Sequence, residues 1–357
     1  MASDSYPPKL TPLERLDMIP ASLSLVAASL YWSIAAVFRG KSGASSYNKH
    51  IKFALMRKAM TRLSIRQTQS TNPPSNEIYD AYIKKQGLEN QTVTLKHGAL
   101  GHWLGNKDAK QVVVYYHGGG FALPLNNAYF EIFNEIIEDF RAQGKDVAIF
   151  FLTYTLAPYA AYPTQTRQAV EALRYVIQET GRDPANVVIG GDSAGGNLTL
   201  GVLSHLSHPH EAIDQLDIPG PLAGSFLIAP WVSFSQGFPS FQKNANKDML
   251  APPYLARWSA AFLGGKKGDN YSEPFLAPAE WWKDLKTKDM LVVAGGDEVF
   301  LGSVEQFVEK LKSVFPSTSF IIGADEAHVA PIVNRMLNDS SETEQGKAVT
   351  SWLSARL

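Results

Sequence analysis

Val187-Val188-Ile189-Gly190-Gly191-Asp192-Ser193-Ala194-Gly195-Gly196-Asn197-Leu198 decides how this chain is read. β-Favouring apolar and small residues run into Gly-Asp-Ser-Ala-Gly, and a helical pattern of apolar residues (Leu198, Leu200, Val202, Leu203) follows at once, which is strand, tight turn, helix. A serine at the tip of such a turn is forced into strained backbone geometry that only glycines on either side tolerate, and the strain lifts its hydroxyl clear of the sheet. The helix that begins behind it aims free N–H groups and the positive end of its dipole at any negative charge formed there.

Outward from this turn the chain alternates. The patterns predict a hairpin over residues 91–104 turning near His97-Gly98, then strands at 112–116, 147–152, 187–190, 224–229, 290–294 and 319–322. Helices are predicted at 129–140, 164–180, 303–314, 329–337 and 344–355. Such alternation implies an α/β fold with a mostly parallel central sheet flanked by helices, and in these sheets ligands sit beyond the carboxyl ends of the strands. Residues 231–285 interrupt the series with Trp231, Phe234, Phe238, Phe241, Trp258, Phe262, Trp281 and Trp282. An insertion this aromatic between two sheet strands is expected to cap the site and to select an apolar or bulky substrate. Trp231 and Phe234, with Phe121 of an earlier loop, are the candidate substrate-binding side chains.

With 357 residues, 45% of them hydrophobic, the chain can bury one large core or two modest ones. Its 33 basic and 34 acidic residues balance, so no nucleic-acid partner is implied. The absence of cysteine excludes disulfides, thiolate catalysis and cysteine-ligated metal, and nothing demands an oxidising compartment; an intracellular, cytoplasmic setting is expected. The eight histidines form no H-x-x-x-H pair, and His205, His208 and His210 read as solvated surface at a helix end, so no metal is expected.

Residues 18–38 carry no charge between Asp17 and Arg39, a length that crosses a bilayer. Ser22, Ser29, Ser33 and Ala36 share one helical face, so the segment also reads as an amphipathic helix packed over an apolar opening; membrane association and a cap helix both stay open. Glu14 and Asp17 argue against a cleaved signal. If the segment spans, Arg39, Lys41, Lys49 and Lys52 behind it keep the body cytoplasmic. A second helix over 48–66 has an apolar stripe of Ile51, Leu55, Ala59 and Leu63 and a basic, solvated face. Residues 71–76 break the pattern, so 1–75 is expected to be a helical cap region or membrane-associating segment and 76–357 the catalytic domain.

Acyl transfer by a serine needs a base, an acid that orients the base, and N–H donors for the oxyanion. After strand 112–116 comes His117-Gly118-Gly119-Gly120-Phe121, whose glycines let backbone amides face the serine. Gly118, Gly119 and Gly120, with Ala194, are the candidate oxyanion hole. The loop lacks G-x-G-x-x-G and a following Lys-Ser/Thr, so phosphate binding is disfavoured. After strand 290–294 comes Gly295-Gly296-Asp297-Glu298, and after strand 319–322 Gly323-Ala324-Asp325-Glu326-Ala327-His328. The expected triad is Ser193, Asp297, His328, with Glu298 as the rival acid; Asp325 and Glu326 lie too close to His328 in sequence to be preferred. Each residue alone has an ordinary structural explanation as turn, helix cap or packing. Their joint occurrence in the order this sheet requires makes coincidence improbable.

The chain here resembles the hormone-sensitive-lipase-like group of α/β-hydrolases, especially its fungal esterase-like members. The resemblance covers roughly residues 90–357 and rests on His117-Gly118-Gly119-Gly120-Phe121, Tyr154-Thr155-Leu156-Ala157-Pro158 with Tyr162-Pro163, Gly191 to Asn197, Asp297 and His328. It implies esterase or lipase activity on uncharged acyl esters, no cofactor, and a cap built from the N-terminal helices plus the insertion. Thr155, Tyr159, Leu301 and the Val-Ala after His328 depart from the group's pattern and bear on substrate preference. The triad also fits an acyltransferase, lyase or cyclase of natural-product metabolism; retention of His328 speaks against a non-catalytic ligand receptor.

Overall fold

Gln111–Tyr116, Val147–Thr153 and Val187–Asp192 are made almost entirely of β-branched, aromatic, aliphatic and glycine residues, and in the computed structural model, which describes residues 6–357, they form adjacent, deeply buried strands. Continuous apolar runs of this kind suit strands covered by helices on both faces. Eight strands are found among the described residues: β1 (Thr92–Thr94), β2 (Leu100–Gly105), β3 (Gln111–Tyr116), β4 (Val147–Thr153), β5 (Val187–Asp192), β6 (Gly224–Ile228), β7 (Met290–Gly295) and β8 (Thr318–Gly323). Their spatial order is β1-β2-β4-β3-β5-β6-β7-β8; β1 and β2 pair antiparallel, β2 lies antiparallel to β4, and the remaining pairs are parallel. The expected mostly parallel sheet is present. The carboxyl ends of β3, β5, β7 and β8 lead into the four sequence motifs.

Helices pack on both faces around two buried apolar clusters. One contains Val112, Val114, Phe150, Ile189 and Leu198, the other Val113, Tyr115, Ile149, Phe151 and Val293. Successive residues of β3 thus feed opposite cores, the two-residue period of a strand. The insertion between β6 and β7 holds the helices Ser240–Lys243 and Pro252–Leu263 followed by short turns. A helix at Ser75–Gln86 was not expected; its charged sequence has a weak apolar stripe, and it is anchored by the buried Tyr79, whose hydroxyl donates to Trp103 O at 2.6 Å. The histidine cluster also needs correction. His205 is buried, with Nε2 3.3 Å from Asp214 O, and His208 stacks on Trp281 and bonds its carbonyl at 2.9 Å, so both are structural rather than solvated.

The N-terminal helix Pro12–Ala35 presents its two faces unequally. Its apolar stripe points outward: Leu13, Leu16, Ile19, Leu23, Val26, Leu30 and Ile34 are each 60% exposed or more. The inward face carries Ala21 and, just past the helix, Ala36, both buried, because small residues let it lie close to the Tyr47–Arg62 helix. Asp17 pairs with Arg62, Glu14 with Arg66 at 2.9 Å, and the Trp32 ring meets His50. The Tyr47–Arg62 helix correspondingly buries His50, Phe53 and Ala54 rather than the stripe of Ile51, Leu55 and Ala59, and its Arg57 turns inward instead of into solvent.

β5 and the helix behind it approach β3 so closely that a Cβ on Gly195 would lie 1.8 Å from Tyr116 O, a backbone atom with no freedom to withdraw. Replacing Gly195 by Ala is therefore expected to lower unfolding free energy by about 3 kcal/mol or more, read from urea or thermal melts; a change below 1 kcal/mol would contradict this packing.

Candidate active site

Chain direction reverses at Ser193, whose φ of 51° and ψ of −114° cost an L-residue on the order of 1–3 kcal/mol. Three main-chain bonds hold it there. Its N–H donates to Ile228 O (2.9 Å), and its carbonyl accepts from Asn197 N (3.1 Å) and Trp231 N (2.9 Å). The hydroxyl stands at the N-terminus of the helix Ala194–Ser207 and lines a cavity of about 210 Å³ that also receives His328.

Asp192, next to the serine, was given no role by the sequence reading, yet it organises the glycine loop. Its fully buried carboxylate accepts from Tyr115 Oη (2.9 Å), Tyr129 Oη (2.9 Å) and the amide of Gly118 (2.8 Å). Burial pushes the carboxyl up to about 6, while these three donors pull the other way. Both phenols are driven well above their ordinary range, first by burial and next by Asp192 itself, so they remain donors. Gly118 is thereby removed from the expected oxyanion hole, because its N–H is already committed. Gly119 (φ +95°), Gly120 (φ +59°) and Ala194 have amides with no hydrogen-bond acceptor among the described residues. They are the donors left to face an oxyanion. His117 is locked beneath, stacked on Tyr154 with Nδ1 donating to Gly118 O at 2.7 Å, and burial lowers it to about 4, so it stays neutral.

The acid also differs from the expectation. Asp297 forms an ion pair with Lys247 at 2.6 Å and does not meet the histidine. The carboxylate facing His328 is that of Glu298, fully buried, with Oε2 3.7 Å from Nδ1 and also accepting the Gly295 amide at 3.0 Å. Neighbouring residues in a turn face opposite ways, so one of the two reaches the base and the other is spent elsewhere. Among the described residues Glu298 Oε1 and His328 Nδ1 are buried without hydrogen-bond partners, a pair of complementary groups that a small side-chain adjustment joins. Burial alone would depress the imidazole, but Glu298, then Asp248 and Asp192, outweigh it and the net shift is upward.

The cavity is mostly apolar. The Tyr47–Arg62 helix contributes Met56 and Met60, the insertion Leu250, Tyr254 and Trp258, and the segment after His328 contributes Ile332 and Met336. Of the three side chains expected to touch substrate, Trp231 lines this space; Phe121 and Phe234 do not. Phe121 is stacked on Phe262 with ring centres 3.7 Å apart, and Phe234 packs edge-on against Trp231, so both buttress the wall from behind. Methionines on a helix read as basic surface gave no sequence signal. Elsewhere, His97, Glu171 and Asp214 bring ligand-type atoms within 4.8 Å of one another, but Arg174 already holds Glu171 at 2.8 Å, which disfavours a cation.

Residues 113–331, more than half of the chain, match the family model described as alpha/beta hydrolase fold. Steryl acetyl hydrolase 1 of Saccharomyces cerevisiae is 27% identical over 244 residues, covering 64% of this chain and 55% of that protein. Carboxylesterase NlhH of Mycobacterium tuberculosis is 31% identical over 163 residues, 44% of this chain and 47% of that one. The chain thus spans about half the length of the curated relatives it matches. Among solved structures, a hormone-sensitive lipase from a metagenome library superposes with a TM-score of 0.66 at 20% identity, over 88% of this chain and 99% of that one.

Removing one of the three donors to Asp192 leaves a buried carboxylate under-partnered. Tyr115→Phe is expected to lower stability by about 1–3 kcal/mol in denaturant melts, and an unchanged midpoint would show that the tie is dispensable.

Proposed function

Since the chain belongs to the α/β-hydrolase fold family, we propose that it is a serine hydrolase of carboxylic esters that works through an acyl-enzyme, with Glu298 in place of the expected Asp297. Ser193 Oγ attacks the ester carbonyl while His328 takes its proton. Glu298 steadies the resulting imidazolium, and the amides of Gly119, Gly120 and Ala194 receive the oxyanion. His328 then returns the proton to the departing alcohol oxygen, and water, deprotonated by the same imidazole, releases the acid. The observation that carries this reading is one serine in a strained turn, beside uncommitted amides, sharing an apolar cavity with a histidine backed by a buried carboxylate.

The apolar lining supports esters of apolar or bulky alcohols or acids. Likeness to a steryl acetyl hydrolase makes short-chain esters of bulky apolar alcohols the first substrates to try. Because the histidine is shifted upward, the acid limb of kcat/KM should lie at higher pH than for an isolated imidazole: the free base, and with it activity, is gained as pH rises through the raised value.

We also infer that the outward stripe of Pro12–Ala35 rests on a membrane surface. Seven large apolar side chains at helical spacing, held outward by ion pairs on the opposite face, form a patch that water disfavours and a bilayer interface accepts. Pairing of Asp17 and Glu14 to the body favours a helix lying in the interface over one standing across it.

Two experiments test these readings. On activated esters, Ser193→Ala should lose on the order of 10⁴ in kcat and Glu298→Gln on the order of 10² or more, while Asp297→Asn stays within about threefold. A larger loss in Asp297→Asn than in Glu298→Gln would return the acid role to Asp297. In liposome flotation the wild type should float, and a Leu16→Gln, Leu23→Gln, Leu30→Gln variant should remain in the lower fractions; equal flotation would remove the stripe from the account.

A further inference from the structure

The insertion does more than roof the cavity. Asp248 lies in it, between the two insertion helices, and is fully buried. Its Oδ2 accepts the amide of Val299 at 2.8 Å; its Oδ1 accepts Met249 N at 2.7 Å and the amide of His328 at 3.4 Å. Val299 directly follows Glu298, so one carboxylate grips both the loop that carries the acid and the loop that carries the base. Asn244, four residues earlier, reinforces the first grip by donating Nδ2 to Glu298 O (2.8 Å) and Gly296 O (3.2 Å). From the other side, Arg57 of the Tyr47–Arg62 helix donates to the Asp248 carbonyl.

We infer that Asp248 is a positioning residue, tying the cap and the Tyr47–Arg62 helix to the catalytic histidine and biasing the charge of that histidine. This rests on the serine-hydrolase reading above. Two physical effects are combined in one side chain. Main-chain bonds to Val299 and His328 limit how far acid and base drift apart across their 3.7 Å separation. The negative charge also favours the imidazolium that forms when Ser193 loses its proton.

The groups facing this junction are few. Asp248 faces His328, Glu298, Arg57 and Tyr254; His328 faces Glu298, Asp248 and Asp192, with the Phe300 ring edge-on. Burial pushes the Asp248 carboxyl up to about 6 while His328 pulls it back, so the acid limb belongs to the cluster rather than to one residue. Arg57, itself half-buried, opposes the bias by offsetting the charge of Asp248.

The two partners therefore predict shifts of opposite sign, which loosening of the fold does not produce. Asp248→Asn should move the acid limb of kcat/KM down by about one pH unit and reduce kcat on the order of tenfold, with KM nearly unchanged. Arg57→Gln should move the limb up. Imidazole proton NMR of His328 reads the same shifts without turnover, and circular dichroism confirms that each variant is folded. Opposite shifts support the role; folded variants whose limbs stay in place, or move the same way, overturn it. Should Asp248→Asn not fold, Arg57→Gln decides: an upward shift supports, no shift overturns. Failure of the underlying hydrolase reading is distinguishable, since it shows as full activity in Ser193→Ala while the NMR titration of His328 still reports on Asp248.

Discussion

A carboxylate buried beside the nucleophile is the constraint from which the site follows. Stripping water from Asp192 costs several kcal/mol unless donors replace it, and the fold supplies three: two phenols and the amide of Gly118. Those donors come from β3, from the Asn127–Ala142 helix and from the glycine loop. Satisfying one charge therefore fixes the elbow, a flanking helix and the loop in a single arrangement. The parallel register pairs Tyr116 with Gly191, so the strand ends are level before any side chain contributes. Asp192 then converts level ends into a defined orientation, in which the amides of Gly119 and Gly120 have no competing acceptor among the described residues.

Most of the scaffold was legible in the sequence. Apolar runs bounded by glycine marked the strands, and the strand-end motifs located the serine, the glycine loop and the histidine, because each depends on local backbone chemistry that a short segment specifies. What was not legible depends on distant partners. Which of Asp297 and Glu298 lies nearer the histidine depends on which way a turn faces, and Lys247, reaching in from the insertion, pairs with Asp297. Gly118 was assigned to the oxyanion hole because nothing in its own loop reveals that Asp192, more than seventy residues away, takes its amide. Phe121 and Phe234 were placed in the pocket on aromatic character alone, whereas packing against Phe262 and Trp231 puts them behind its wall.

The N-terminal helices show the same limit in another form. Hydrophobicity and periodicity identify an amphipathic segment but not the direction of its apolar face. Small residues at Ala21 and Ala36 permit close approach to the neighbouring helix, and acidic Glu14 and Asp17 find arginines there, so the bulky residues are left outside. That arrangement is stable only if something other than water meets them, or if the cost is offset by the packing beneath.

Rigidity at the inner edge of the cap has a consequence for traffic. A roof whose underside is bonded to both catalytic loops through Asn244 and Asp248 does not swing aside as one piece without pulling acid and base apart. On the proposed hydrolase reading, passage of substrate and product then falls to the part of the lining made by Met56, Met60 and Met336, unbranched thioether chains with many accessible rotamers. The doorway on that reading is a fringe of pliable side chains set in a fixed frame.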